Sequence, residues 1–290
     1  MMSEHSYCIF FSGITIRFVL PTPINMPQCI TALLCDNCTQ PDAEYKVQLI
    51  DKPLELPSAP VHTDGNSQIY VTNQGRLRIY YPLTEDDGCQ VACLLRSDGK
   101  NTLYYPSKKW DHYRSYWHCS HLLWGEMLLM HLDSFLLHSS VVLAEDKIVL
   151  FCGSSGAGKS TQAKLWEEFA DAEIINGDRC VITNKNGIFY GGGSLWSGTS
   201  DIYSPKQAPV AGIFTLKQGK ENKVRRLGIE AFPSLYSQIT LNTWDEEFME
   251  KVTDSLQTML CSVPVWELTC DISKDAVSLA YKTVFSKELP

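Results

Sequence analysis

No run of residues reaches the ~18–20 consecutive apolar positions that a membrane-spanning helix needs. The most apolar segment, Leu122 to Leu137, is interrupted by Glu126, His131 and Asp133 and reads as a buried helix. The start, Met1-Met2-Ser3-Glu4-His5, lacks a basic stretch, and Cys8 to Leu20 is broken by Ser12, Gly13 and Arg17, so no secretory leader is expected. Basic side chains are in deficit, 25 Lys and Arg against 33 Asp and Glu, for a net charge of -8. That balance argues against a broad nucleic-acid surface and leaves room for a local phosphate site.

Internal repeats and low-complexity tracts are also missing. The Cys-x-x-Cys segment Cys35-Asp36-Asn37-Cys38 has neither a second pair nor a His at finger spacing, which leaves it as a loop with two thiols. The cysteine count, 11, is odd, and Cys152, Cys180, Cys261 and Cys270 fall inside apolar runs. Such thiols pack as small hydrophobes and suit a reducing, cytoplasmic setting better than a disulfide framework. What remains is an ordinary globular composition: 290 residues, 44% hydrophobic and 20% charged, enough for one or two domains.

Residues 1–108 read as a β-rich domain without recognisable chemistry. Ile14 to Leu20, Tyr45 to Ile50, Gln68 to Thr72 and Arg76 to Tyr81 alternate or are β-prone, and Asp64-Gly65, Asn73-Gln74-Gly75 and Asp98-Gly99 supply turns. Over 109–290 strands alternate with helices. A long helix is expected through Leu122 to Phe135, closed by His138, followed by a short strand at Ser140 to Leu143. An apolar strand, Ile148 to Cys152, then leads into a glycine-rich turn and a helix from Lys159 to about Ala170. A strand at Glu173 to Asn176, a hairpin turning at Asn184 to Gly187, a strand at 211–216 and helices near Phe248 to Cys261 and Lys274 to Phe285 complete an α/β core with a mixed sheet.

Gly153-Ser154-Ser155-Gly156-Ala157-Gly158-Lys159-Ser160 fits the P-loop (Walker A) pattern G-x-x-x-x-G-K-[ST], and the strand before it and helix after it are the context the pattern requires. Small residues let successive backbone N–H groups turn toward phosphate oxygens, and the helix beginning at Lys159, with Ser160 and Thr161 in its first turn, presents its unsatisfied N–H groups to the same anion. Lys159 reaches the terminal phosphates and the Ser160 hydroxyl is placed to ligate Mg²⁺. A second acid belongs at the end of a neighbouring strand, and Asp178, after Ile174-Ile175-Asn176-Gly177, supplies it. A second glycine-rich stretch, Gly191 to Gly198, reads either as a loop over the nucleotide or acceptor with Trp196 as an aromatic wall, or as a bulged loop whose Trp packs on the core.

The order Leu137-His138-Ser139-Ser140, then Gly153 to Ser160, then Asn176-Gly177-Asp178-Arg179, then Leu195-Trp196-Ser197-Gly198, resembles the catalytic domain of the HPr serine kinase/phosphorylase family over about residues 130–285. The resemblance is nearer to the kinases related to that family than to its HPr-specific members. It implies a fold similar to phosphoenolpyruvate carboxykinase and transfer of the ATP γ-phosphoryl group, with Mg²⁺, to a hydroxyl, serine above all, of a peptide, protein or small molecule. It implies phosphate holding by Gly153 to Thr161, metal contacts at Ser160 and Asp178, and catalytic roles for Asp178, His138 and Lys159. Two departures stand out. The family's paired aspartates are here Gly177-Asp178, and its Pro-Gly-Arg-Asn run is not found; Leu216-Lys217-Gln218-Gly219-Lys220-Glu221-Asn222-Lys223 occupies the comparable place. The alternative is a nucleotide-binding regulatory module with little transfer activity. Neither nucleic acid nor membrane is expected as a partner, and monomer and homo-oligomer both stay open.

Overall fold

The computed structural model describes residues 5–36, 38–57, 59–81 and 90–290. Residues 1–4 and Asn37, which enter the leader and Cys-x-x-Cys readings, lie outside that set. The chain divides into two compact units, one of Met1–Phe10 with Ile14–Leu132 and the other of Phe11–Gly13 with Asp133–Pro290.

The first unit is built on strands β1 (His5–Phe11), β2 (Ile14–Leu20), β3 (Leu34–Cys35), β4 (Ala43–Ile50), β5 (His62–Asp64), β6 (Ser67–Thr72), β7 (Gly75–Tyr80), β8 (Val91–Leu95) and β9 (Lys100–Pro106). They form one mixed sheet in the order β3-β1-β2-β4-β9-β8-β7-β6-β5. Three short helices come next, α1 (Trp110–Tyr113), α2 (Tyr116–Leu122) and α3 (Gly125–His131). They belong here, so the division falls at Leu132 and not after residue 108. The cause is packing: Tyr45 Oη donates to Leu123 O at 2.9 Å, Tyr105 Oη donates to His118 O at 3.1 Å, and Arg78 pairs with Glu126 at 3.3 Å.

The single long helix expected through Leu122 to Phe135 is not formed. Trp124 takes a left-handed φ of +55° between α2 and α3, and Asp133, with φ +50°, turns the chain out of α3. The chain then enters an 11-residue strand, β10 (Ser134–Ala144), so His138 lies in mid-strand and not at a helix end. The run Ser134-Phe135-Leu136-Leu137 is buried on both faces, and an apolar run without alternation reads equally well as helix or strand.

The second unit continues with β11 (Lys147–Cys152), α4 (Lys159–Phe169), β12 (Glu173–Asn176), β13 (Arg179–Lys185), β14 (Ile188–Gly192), β15 (Gln207–Gln218), β16 (Lys223–Arg226), α5 (Ala231–Tyr236), α6 (Glu246–Ser262), β17 (Val265–Cys270) and α7 (Lys274–Phe285). Its sheet is again mixed, making the architecture α/β. The long strands β10 and β15 bend through it. The first half of β10 pairs with β13, and its second half pairs with β11 and β12. β15 pairs with β14 near its start, and farther along it runs parallel to β11 and β17. Helices α4 and α7 cover one face, burying Ala163, Trp166, Ala276, Ala280 and Tyr281 against Val149, Phe151, Phe214 and Leu268. No helix among the described residues is long and apolar enough to cross a membrane.

Candidate functional site

The glycine-rich turn occupies the strand-to-helix junction its pattern demands, between the end of β11 and the start of α4. Gly153 adopts φ +149°, and a Cβ there would come within 2.9 Å of the Ala157 Cβ. Gly156 and Gly158 also hold positive φ, +78° and +102°, but a Cβ on either meets nothing within 4 Å. These glycines are required by backbone conformation, which a side chain would strain. Ser154, Ser155, Gly156 and Ser160 are exposed, Thr161 is half-buried, and the Ala157 N–H donates to Ser154 O at 3.1 Å. Lys159 is buried, and its Nζ folds back to donate to Gly153 O at 2.9 Å and Ser154 O at 3.3 Å. The Lys159 ammonium is thus held by the carbonyls at the start of the turn.

Asp178 sits in a bend that Asn176 organises. The fully buried Asn176 accepts through Oδ1 from the N–H groups of both Asp178 and Arg179, each at 2.9 Å. The neighbouring β10 clamps the same bend, with Ser139 N donating to Asp178 O at 3.0 Å and Ser140 Oγ to Gly177 O at 3.0 Å. The Asp178 carboxylate faces His138 Nε2 at 3.4 Å and Arg179 Nε at 3.2 Å, and Arg179 Nη1 reaches Thr240 Oγ1 at 2.6 Å. Burial lowers the His138 pKa, Lys159 and Arg179 push it down further, and Asp178 opposes them. His138, Lys159, Asp178 and Arg179 therefore share one electrostatic environment.

The second glycine-rich stretch closes on this cluster. A Cβ on Gly198 would lie 3.0 Å from the Asp178 Cγ, and Leu195 is fully buried while Trp196 is half-buried. A Cβ on Gly177 would meet Ser200 Cβ at 2.4 Å and Oγ at 2.5 Å. Ser200 thus fills the place that any side chain at 177 would need.

Beside the turn opens a cavity of about 500 Å³, lined among others by Gly156, Thr161, Gln218, Lys220, Asp271 and Ile272. Gln218 Nε2 donates to Gly156 O at 2.7 Å and ties the end of β15 to the turn. Hydrogen bonds to Ser273 and Asn222 hold the Asp271 carboxyl below its usual range. Asn176, Thr240 and Ser200 escape sequence reasoning. For Asn176 the Asn-Gly dipeptide was the available signal; for Thr240 and Ser200 there is none, because tertiary structure delivers both.

The sequence matches no protein-family model and no curated protein sequence. Among solved structures, the HPr(Ser) kinase/phosphatase from Coxiella burnetii aligns over 52% of this chain and 88% of its own, at 12% identity and a TM-score of 0.31. The likeness is a distant one.

Proposed function

We propose that the chain is an ATP- and Mg²⁺-dependent phosphotransferase that moves the γ-phosphoryl group to a hydroxyl, serine above all, of a peptide, protein or small molecule. One observation carries this reading: Lys159, bonded to the first residues of the glycine-rich turn, shares its field with the paired His138 and Asp178.

In this reading the turn from Gly153 to Gly158 and the first residues of α4, Lys159 to Thr161, cradle the triphosphate. Lys159 exchanges its bonds to Gly153 O and Ser154 O for phosphate oxygens. The cavity beside the turn takes the nucleoside. Ser160 and Asp178 are the protein ligands for Mg²⁺, which when bound neutralises charge on the phosphate oxygens. Asp178 orients the acceptor hydroxyl or receives its proton. His138, held toward the neutral form by burial and by Lys159, can take up the acceptor's proton and becomes an imidazolium that the adjacent Asp178 carboxylate stabilises. Arg179 holds Asp178 in place.

Ser200 beside Gly177 favours the second reading, a nucleotide-binding module with little transfer. ATP affinity and ATP turnover, measured together across candidate peptides and metabolites with mass-spectrometric detection, separate the two. Product that disappears in both Lys159→Ala and Asp178→Asn supports the phosphotransferase. Tight ATP binding without product supports the module, and full transfer by either variant refutes the assigned roles.

A further inference from the structure

Three half-exposed thiols meet in the first unit, away from the glycine-rich turn in sequence. Cys8 on β1 stands directly opposite Cys35 on β3 in antiparallel register. Opposed residues in such a ladder have Cα atoms about 4.5–5.5 Å apart, inside the about 4.4–6.8 Å that a disulfide spans. The Cys38 side chain contacts the Cys8 thiol. The Arg17 guanidinium also hydrogen-bonds to Cys8, donates to the Cys38 carbonyl and pairs with Glu44 at 3.3 Å. All three thiols line one cavity of about 740 Å³, whose walls carry Arg17 and Lys46 as well as Asp36 and Glu44. Cys93, Cys119, Cys152, Cys180 and Cys270, by contrast, are buried and act as core residues. Among the described residues no group of three His, Cys, Asp or Glu is disposed to hold a metal ion.

We propose that Cys8, Cys35 and Cys38 form a thiol–disulfide exchange site for small zwitterionic disulfides, with Cys8 as the obligatory partner. The Cys8 sulfur, having lost its proton, attacks one sulfur of a disulfide such as glutathione disulfide. The S–S bond breaks and one glutathione leaves, taking up a proton. Cys35 then attacks the Cys8 sulfur across the ladder, closing the Cys8–Cys35 disulfide and releasing the second glutathione with the proton that Cys35 gives up. Two protein thiols are oxidised and one disulfide is reduced to two thiols, so no further oxidant is needed. Cys38, in contact with Cys8, takes the place of Cys35 by exchange. Arg17 faces the charge that passes through the Cys8 sulfur in each displacement. Burial raises the pKa of the Cys35 and Cys38 thiols. Walls of both charge signs match a ligand that carries ammonium and carboxylate groups.

The test treats the reduced full-length chain with glutathione disulfide, blocks free thiols with iodoacetamide and maps the linkages by mass spectrometry. The exposed Cys261 reports that the reagent has reacted. The wild type is expected to give Cys8–Cys35, Cys35→Ser to give Cys8–Cys38, and Cys8→Ser to give no link among the remaining two. Serine is nearly isosteric at half-exposed positions, and an unchanged thermal melt verifies folding. A Cys35–Cys38 link forming in Cys8→Ser at the wild-type rate overturns the proposal. So does a wild type in which Cys261 carries glutathione while Cys8 stays free.

Discussion

His138 Nε2 stands 3.4 Å from Asp178 Oδ1, and strand register puts it there. β10 and β13 pair His138 directly with Arg179, so the residue before Arg179 emerges from the strand end beside the imidazole. The backbone bond from Ser139 N to Asp178 O locks the same alignment. A one-residue slip would turn His138 to the other face of the sheet.

Protonation of His138 is coupled to folding. Its pKa in the folded chain lies below the ordinary value of 6.5, through burial first and Lys159 second. Between those two pKa values the unfolded chain binds more protons than the folded one, so stability rises with pH across that window. This contribution is complete above the unfolded value and is lost as pH falls through the folded one. Asp178→Asn removes the interaction that raises the pKa, so the titration midpoint of His138, followed by NMR, is expected to fall further. An upward movement would contradict the electrostatic arrangement.

Lys159→Met separates binding from folding. The methionine keeps the buried stem and deletes the ammonium. Charge-assisted hydrogen bonds are worth roughly 1.5–3 kcal/mol, so calorimetry is expected to show ATP binding at least about tenfold weaker. Ser154 is exposed and Gly153 half-buried, so their carbonyls can regain water, and stability should fall by no more than about 1 kcal/mol. A large loss of stability with unchanged ATP affinity would identify Lys159 as a structural tie only.

Trp166 tests the packing under the site. It is fully buried, with ring centroids 5.5 Å from Phe151, 5.7 Å from Tyr281 and 6.3 Å from Phe285. Trp166→Ala is expected to cost about 3–5 kcal/mol in urea unfolding. The indole N–H has no hydrogen-bond partner among the described residues. Trp166→Phe therefore breaks no hydrogen bond and is expected to cost clearly less, the loss coming from volume alone. Equal costs for the two variants would mean that the indole nitrogen is satisfied in solution.

Local signals made much of the second unit legible. α7 runs over the residues its periodicity marks, because Ser273 caps it by accepting from Ala276 N. β12 ends where Asn176-Gly177 signals a bend, and Asn186-Gly187 turns the β13–β14 hairpin. The glycine-rich turn was legible for the same reason, since conformation and chemistry there lie within a few consecutive residues. β10 was not legible. Its apolar run carries no alternation, and it is a strand because β11, β12 and β13 flank it. The charged β16 is likewise a strand because β17 pairs with it, where Arg225 meets Glu267 at 3.7 Å. The His138–Asp178 contact is a product of that register, which local sequence does not encode.

The absence of a side chain at 177 has a steric cause that mutation can probe. Gly177 has no room for a Cβ: Ser200 Cβ would lie 2.4 Å away, and Ser200 is held in turn by its Oγ bond to Ser197 O at 2.7 Å. Gly177→Asp alone is therefore expected to destabilise the chain by about 1–3 kcal/mol, as overpacking does. Ser200→Gly deletes both clashing atoms. The two substitutions should be non-additive in thermal or urea unfolding, the double variant being more stable than the sum of the singles predicts. Activity then discriminates between the two functional readings. If transfer is limited by the absent acid, the Gly177→Asp, Ser200→Gly pair raises turnover while ATP affinity changes little, because the phosphate cradle is untouched. If the chain is a nucleotide-binding module, the same pair recovers stability and yields no product. Additive stabilities would show that Ser200 moves freely, and the glycine at 177 would then need another cause.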